Sequence, residues 1–113
     1  MTPRRRLGDA GEDAAAAYLQ SLGYCIVSRN LRGPAGEIDI VARDGDVLVF
    51  VEVKLRTNRR FGSALRAVDG RKRRRLRAAA EDFLQFLPPQ AQVRFDVMTI
   101  DGNRIALHRG AFV

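Results

Sequence analysis

Tryptophan is absent from this sequence, and cysteine and histidine each occur once, as Cys25 and His108. A single cysteine cannot close an internal disulfide, and one cysteine with one histidine cannot make the Cys/His set of a structural zinc site. Cys25 therefore reads as a small core side chain. His108, far in sequence from the acidic residues of interest, is assigned no chemical role. Long apolar runs are missing too. Nothing approaches the roughly twenty residues that cross a bilayer, and the basic start from Met1 to Arg6 leads into Asp9, Glu12 and Asp13 instead of an apolar leader core. The expectation is a cytoplasmic protein that stays out of the membrane.

What is present suits one folded domain over residues 1–113. Apolar residues make up 46% and charged residues 29%, which favours a globular chain over a disordered one, and a domain of this size buries most of its unfolded surface in one core. The formal charge is +7, from 20 Lys and Arg against 13 Asp and Glu. Such a balance favours a polyanionic partner, nucleic acid ahead of an anionic membrane surface.

From about Gly8 to Leu22, the apolar residues Ala15, Tyr18, Leu19 and Leu22 recur at helical spacing, and Gly23 supplies a stop. Glu12 lies three residues before Ala15 and seven before Leu19, along or beside the face that should be buried. A carboxylate there is either a favourable anion in the first helical turn or a functional group. Tyr24 to Leu31, Glu37 to Arg43 and Val47 to Arg56 are rich in Val, Ile, Leu or Phe. Gly33-Pro34-Ala35-Gly36 and Asp44-Gly45-Asp46 separate them, so they read as three strands.

The second gap fits a tight hairpin with either Asp44-Gly45 or Gly45-Asp46 as its two-residue turn. With Gly45-Asp46, Asp39 sits opposite Glu52; with Asp44-Gly45, it sits opposite Phe50 and diagonal to Glu52. Both put the two carboxylates on one face, whereas a three-residue turn without a bulge would separate them. Alternation brings Lys54 and Arg56 to the side of Glu52, and Glu37 to that of Asp39.

A loop from about Thr57 to Ala64 precedes a second helical region, in which Leu76, Ala79, Ala80, Phe83 and Leu87 make an apolar stripe ended by Pro88-Pro89. Between Arg56 and Arg77 stand ten Lys or Arg residues and one acid, Asp69. A self-repelling excess of that kind favours phosphate contact over a merely solvated face, and Arg56, Lys72, Arg73, Arg74 and Arg75 are its candidate residues. Gln92 to Ile100 and Arg104 to Arg109 complete the chain as a hairpin around Asp101-Gly102-Asn103. The order is αβββαββ, an α/β (α+β) arrangement with a mixed sheet of about five strands flanked by helices.

Chemistry concentrates in Gly36-Glu37-Ile38-Asp39 and Val51-Glu52-Val53-Lys54. Paired carboxylates on a half-buried sheet repel and lose hydration. A hard divalent cation compensates them well, though Lys54 alone could also neutralise the pair. At these residues the sequence resembles the PD-(D/E)XK nuclease superfamily, whose signature is an Asp followed by Glu-x-Lys on the next strand. A longer string comprises Gly11-Glu12, Gly36 to Val41, Val49 to Arg56, Phe61-Gly62, Lys72 and Arg94-Phe95-Asp96. It resembles the YraN family of small bacterial proteins, which is similar to archaeal Holliday junction resolvases, over nearly the whole chain. Ile38 stands where the signature usually has Pro.

The resemblance implies a restriction-endonuclease-like core, with Asp39, Glu52 and the helix-borne acid Glu12 as metal residues for Mg2+ or Mn2+, and Lys54 as the catalytic lysine beside Asp39 and Glu52. It also implies a homodimer. The expected function is a metal-dependent endonuclease acting on DNA, including branched or flapped forms. Two rivals remain: a nucleic-acid-binding module that keeps the fold without cleaving, and a basic protein that docks on RNA.

Overall fold

The structure, a computed structural model, describes residues 3–33, 36–56, 70–88 and 90–111. Helix α1 covers Pro3–Ser21 and is followed by strands β1 (Cys25–Gly33), β2 (Gly36–Asp44) and β3 (Val47–Arg56). Helix α2 (Gly70–Leu84) then leads to β4 (Gln92–Asp101) and β5 (Arg104–His108). The expected loop from Thr57 to Ala64 lies outside the described residues. No described helix is long and apolar enough to cross a membrane.

The strands form one mixed five-stranded sheet in chain order. Neighbours are antiparallel except β3 and β4, which run parallel, Val47 opposite Gln92 through Arg56 opposite Asp101. A parallel pair needs a crossover, and α2 supplies it.

Helices cover both faces of the sheet. Ala15, Ala16 and Leu19 of α1 pack with Ile40, Ala42, Val49, Val51 and Met98. On the opposite face Ala79 and Ala80 of α2 pack with Val41, Phe50 and Val97, and Phe50 stacks on Phe95 and meets Phe83 edge-on. Alternation along β3 thus feeds two separate cores, which explains why its sequence reads as a continuous apolar run.

Two expectations are corrected. Cys25 is exposed, not core, because it opens the outer strand β1 and the next residue, Ile26, takes the place against the α1 cluster. Leu22 is likewise exposed, since α1 ends at Ser21 and the following turn at Gly23 swings it out of the helical stripe.

Among the described residues the fully buried acid, Asp96, belongs to the architecture. Its carboxylate accepts two bonds from Arg94, at 2.9 and 3.0 Å, and a third from the Gly110 amide at 2.9 Å. Arg94 also donates to Asp44 at 3.2 Å and to the Tyr24 hydroxyl at 2.6 Å, linking β4 to the β2 end and the start of β1. Removing one partner of a buried pair leaves an uncompensated charge. Arg94→Met, which strips the buried Asp96 of its cation, is therefore expected to cost about 3–5 kcal/mol, read as a lowered urea midpoint with unchanged slope.

Candidate metal and nucleic-acid site

The β2–β3 hairpin turns at Gly45-Asp46, where Gly45 takes φ 61°, a left-handed value open to glycine. Pairing then runs from Asp44 opposite Val47 to Ile40 opposite Val51 and stops. Beyond that point β2 stays bonded to β1 as far as Gly36 opposite Gly33, and β3 stays bonded to β4 as far as Arg56. The two central strands part at the next step of the register, where Asp39 and Glu52 stand.

Asp39 occupies the gap. Its Oδ2 accepts the Val53 amide at 2.8 Å, taking the place of a ladder carbonyl. The parting is accompanied by a switch of faces: Ile38 and Ile40, two apart on β2, belong to opposite cores. Strict alternation would put them on one side. Glu37 lies 3.7 Å from Arg32.

Burial, first, and the neighbouring Glu52 charge push the Asp39 carboxyl up to about 7, against the relief given by the Val53 amide; a Glu52 hydrogen bond and the charge of Glu12 add to the rise. Glu52 is 6% exposed, and its Oε1 lies 3.6 Å from the Lys54 ammonium, whose side chain is 19% exposed. The structure thus brings Asp39, Glu52 and Lys54 together at the parting, with Glu12 reaching them from α1. The close approach of α1 uses Gly11, where a Cβ would fall 2.8 Å from the Leu55 methyls.

The donor set suits a hard divalent ion. Two desolvated carboxylates repel each other, and Mg2+ is commonly held by one or two carboxylates, with water and phosphate oxygens completing its shell. Among the described residues, no group of three His, Cys, Asp or Glu side chains could hold a metal by itself. Outside oxygens would therefore be part of any such shell.

Of the basic candidates, Arg74 is exposed on α2, as is Arg77. Arg56 ends β3, and Lys72, Arg73 and Arg75 lie in α2; their side chains fall outside the described residues. The first turn of α2 holds no acid, so its cations sit at the positive end of the helix dipole, an unfavourable placement that an anionic partner would relieve.

Sequence reasoning passed over Asn30. Its amide, turned so that the nitrogen faces the acids, donates to Glu12 at 2.8 Å and to Glu37 at 3.2 Å. The available signal was an Asn inside a strand, where that residue is depleted. His108 lies within 3.1 Å of the Thr99 hydroxyl, Nε2 to Oγ1. Strand register places it two strands from Glu52, with Val97 between.

The chain resembles known proteins across most of its length. Residues 11–100 match the model of UPF0102, described as an uncharacterised protein family. A UPF0102 protein of Ralstonia pickettii is 53% identical over 110 residues, covering 93% of this chain and 88% of that protein. One from Symbiobacterium thermophilum is 50% identical over 100 residues, covering 86% and 83%. A third, from Chloroflexus aurantiacus, is 48% identical over 108 residues, covering 92% and 88%.

Proposed function

We propose that this chain, which belongs to the UPF0102 family, is a metal-dependent endonuclease of the PD-(D/E)XK kind that hydrolyses phosphodiester bonds in DNA. One observation carries the reading: β2 and β3 part where a desolvated carboxylate pair, Asp39 and Glu52, meets the ammonium of Lys54. An acidic pair with only a structural task would gain nothing from a break in the ladder beside it.

In this reading Asp39 and Glu52 hold Mg2+ or Mn2+, with Glu12 a third carboxylate acting through water. The ion supplies charge stabilisation at the phosphate and a more acidic water. Lys54 orients the attacking water or stabilises the charge that develops on the phosphate. The water oxygen bonds to phosphorus as the bond to the leaving oxygen breaks, and that oxygen leaves with a proton. DNA cleavage that EDTA abolishes and Glu52→Gln eliminates supports the reading. Binding without cleavage by the wild type would favour a non-catalytic module.

The basic segment positions the backbone without reading bases. Most of its polar side chains are Arg or Lys, with few of the Asn or Gln that pair with adenine edges. Lys72→Ala/Arg73→Ala/Arg74→Ala is expected to weaken binding to unrelated sequences alike. It should also flatten the salt dependence by about 0.9 in log–log slope for each phosphate left without its cation. Fluorescence anisotropy between low and physiological salt checks this; an unchanged slope would assign those cations to a solvated face.

A further inference from the structure

Asn30 stands on β1 between Arg29, paired with Ile40, and Leu31, paired with Ile38, which places it opposite Asp39. Among the described non-glycine residues it alone has a positive φ, 55°. That region is uncommon for side chains other than Asn and Asp, and such outliers concentrate at functional sites. The conformation has a visible counterpart: Arg29 pairs with Asp13 of α1 at 2.8 Å, whereas Leu31, two residues on, packs with the α2 core, so the faces of β1 switch at Asn30 alongside those of β2.

One end of the Asn30 amide lies 2.8 and 3.3 Å from the two Glu12 carboxylate oxygens and 3.2 Å from Glu37, and because those oxygens only accept, the amide nitrogen is assigned to that end. An ionised carboxylate only accepts, and an amide nitrogen carries two donors without adding charge, so one Asn can join two acids. Glu12 stands on α1, Glu37 on β2 and Asn30 on β1; the bridge spans three elements at the point where the sheet opens.

We propose that Asn30 is a positioning residue, whose left-handed backbone and bridging amide hold Glu12 beside the Asp39–Glu52 pair. The functional half rests on the metal reading above; the bridge itself does not. Glycine accepts the same φ without strain, so Asn30→Gly removes the amide while keeping the backbone course.

Two double-mutant cycles with Glu12→Ala test this, one reading Mn2+ affinity by calorimetry and one reading melting temperature in EDTA. Asn30→Gly should lower Mn2+ affinity about tenfold, the low end for groups that hold metal-site residues in place, and should add little once Glu12 is Ala. In EDTA its modest melting loss should largely vanish in the Glu12→Ala background. Additive melting shifts would overturn the bridge. Wild-type Mn2+ affinity in Asn30→Gly, or losses that multiply with those of Glu12→Ala, would overturn the positioning role. A wild type that binds no Mn2+ would contradict the metal reading, while the EDTA cycle would still decide the bridge.

Discussion

Lys54→Met is expected to slow DNA cleavage by about 10²- to 10³-fold, the usual loss when one group stabilising a developing charge is removed. It should do so without weakening Mn2+ binding. The Lys54 ammonium sits 3.6 Å from Glu52 and would repel a divalent cation held by that carboxylate. Its removal leaves metal affinity equal or higher while the turnover number falls. Single-turnover cleavage and Mn2+ calorimetry on the same preparation separate the two effects. Parallel loss of both would make Lys54 a structural partner of Glu52, since a buried carboxylate without its cation disturbs the site as a whole.

The second large effect concerns Asp39 and pH. Its carboxyl, ordinarily at 3.8, is pushed up to about 7 by burial and by Glu52 and Glu12. Between those values the folded chain holds a proton that the unfolded chain has released. Stability in EDTA should therefore be fully present below the unfolded value and be lost as pH rises toward and through about 7. Asp39→Asn removes this loss and should melt higher than wild type at neutral pH in EDTA.

In the proposed site a cation would bind the ionised pair, so added Mn2+ should stabilise the wild type increasingly as pH passes about 7. The gain is about 2.7 kcal/mol at a hundredfold excess over Kd, and the variant should forfeit it. Thermal melts of both proteins across this range, with and without Mn2+, give the comparison. Equal stabilisation of the two by Mn2+ would place the metal elsewhere.

Much of the fold was legible because its signals are local. The apolar run of β3 between turn residues and the helical recurrence of Ala15 and Leu19 each mark an element without reference to its neighbours, whereas α2 ends at Leu84, short of the stop expected at Pro88. The two-residue turn at Gly45-Asp46 was one of two that fitted the sequence, and both kept Asp39 and Glu52 on one face.

What escaped the sequence is non-local. Cys25 looked buried by residue type, but exposure is decided by which strand lies at the sheet edge. Strict alternation puts Ile38 and Ile40 on one side, and it fails where two strands switch faces together. That switch coincides with one unusual backbone conformation, at Asn30, which composition does not announce. The parting of β2 from β3 was equally invisible, because Asp39 replaces a backbone acceptor with its own side chain.

The most direct measurement is cleavage of linear, flapped and four-way DNA by the wild type and Glu52→Gln, with Mg2+, with Mn2+ and with EDTA. The expected result is metal-dependent cleavage of at least one substrate by the wild type, and binding without cleavage by Glu52→Gln. Intact DNA in every wild-type reaction despite binding, or equal cleavage by the two proteins, would contradict the account.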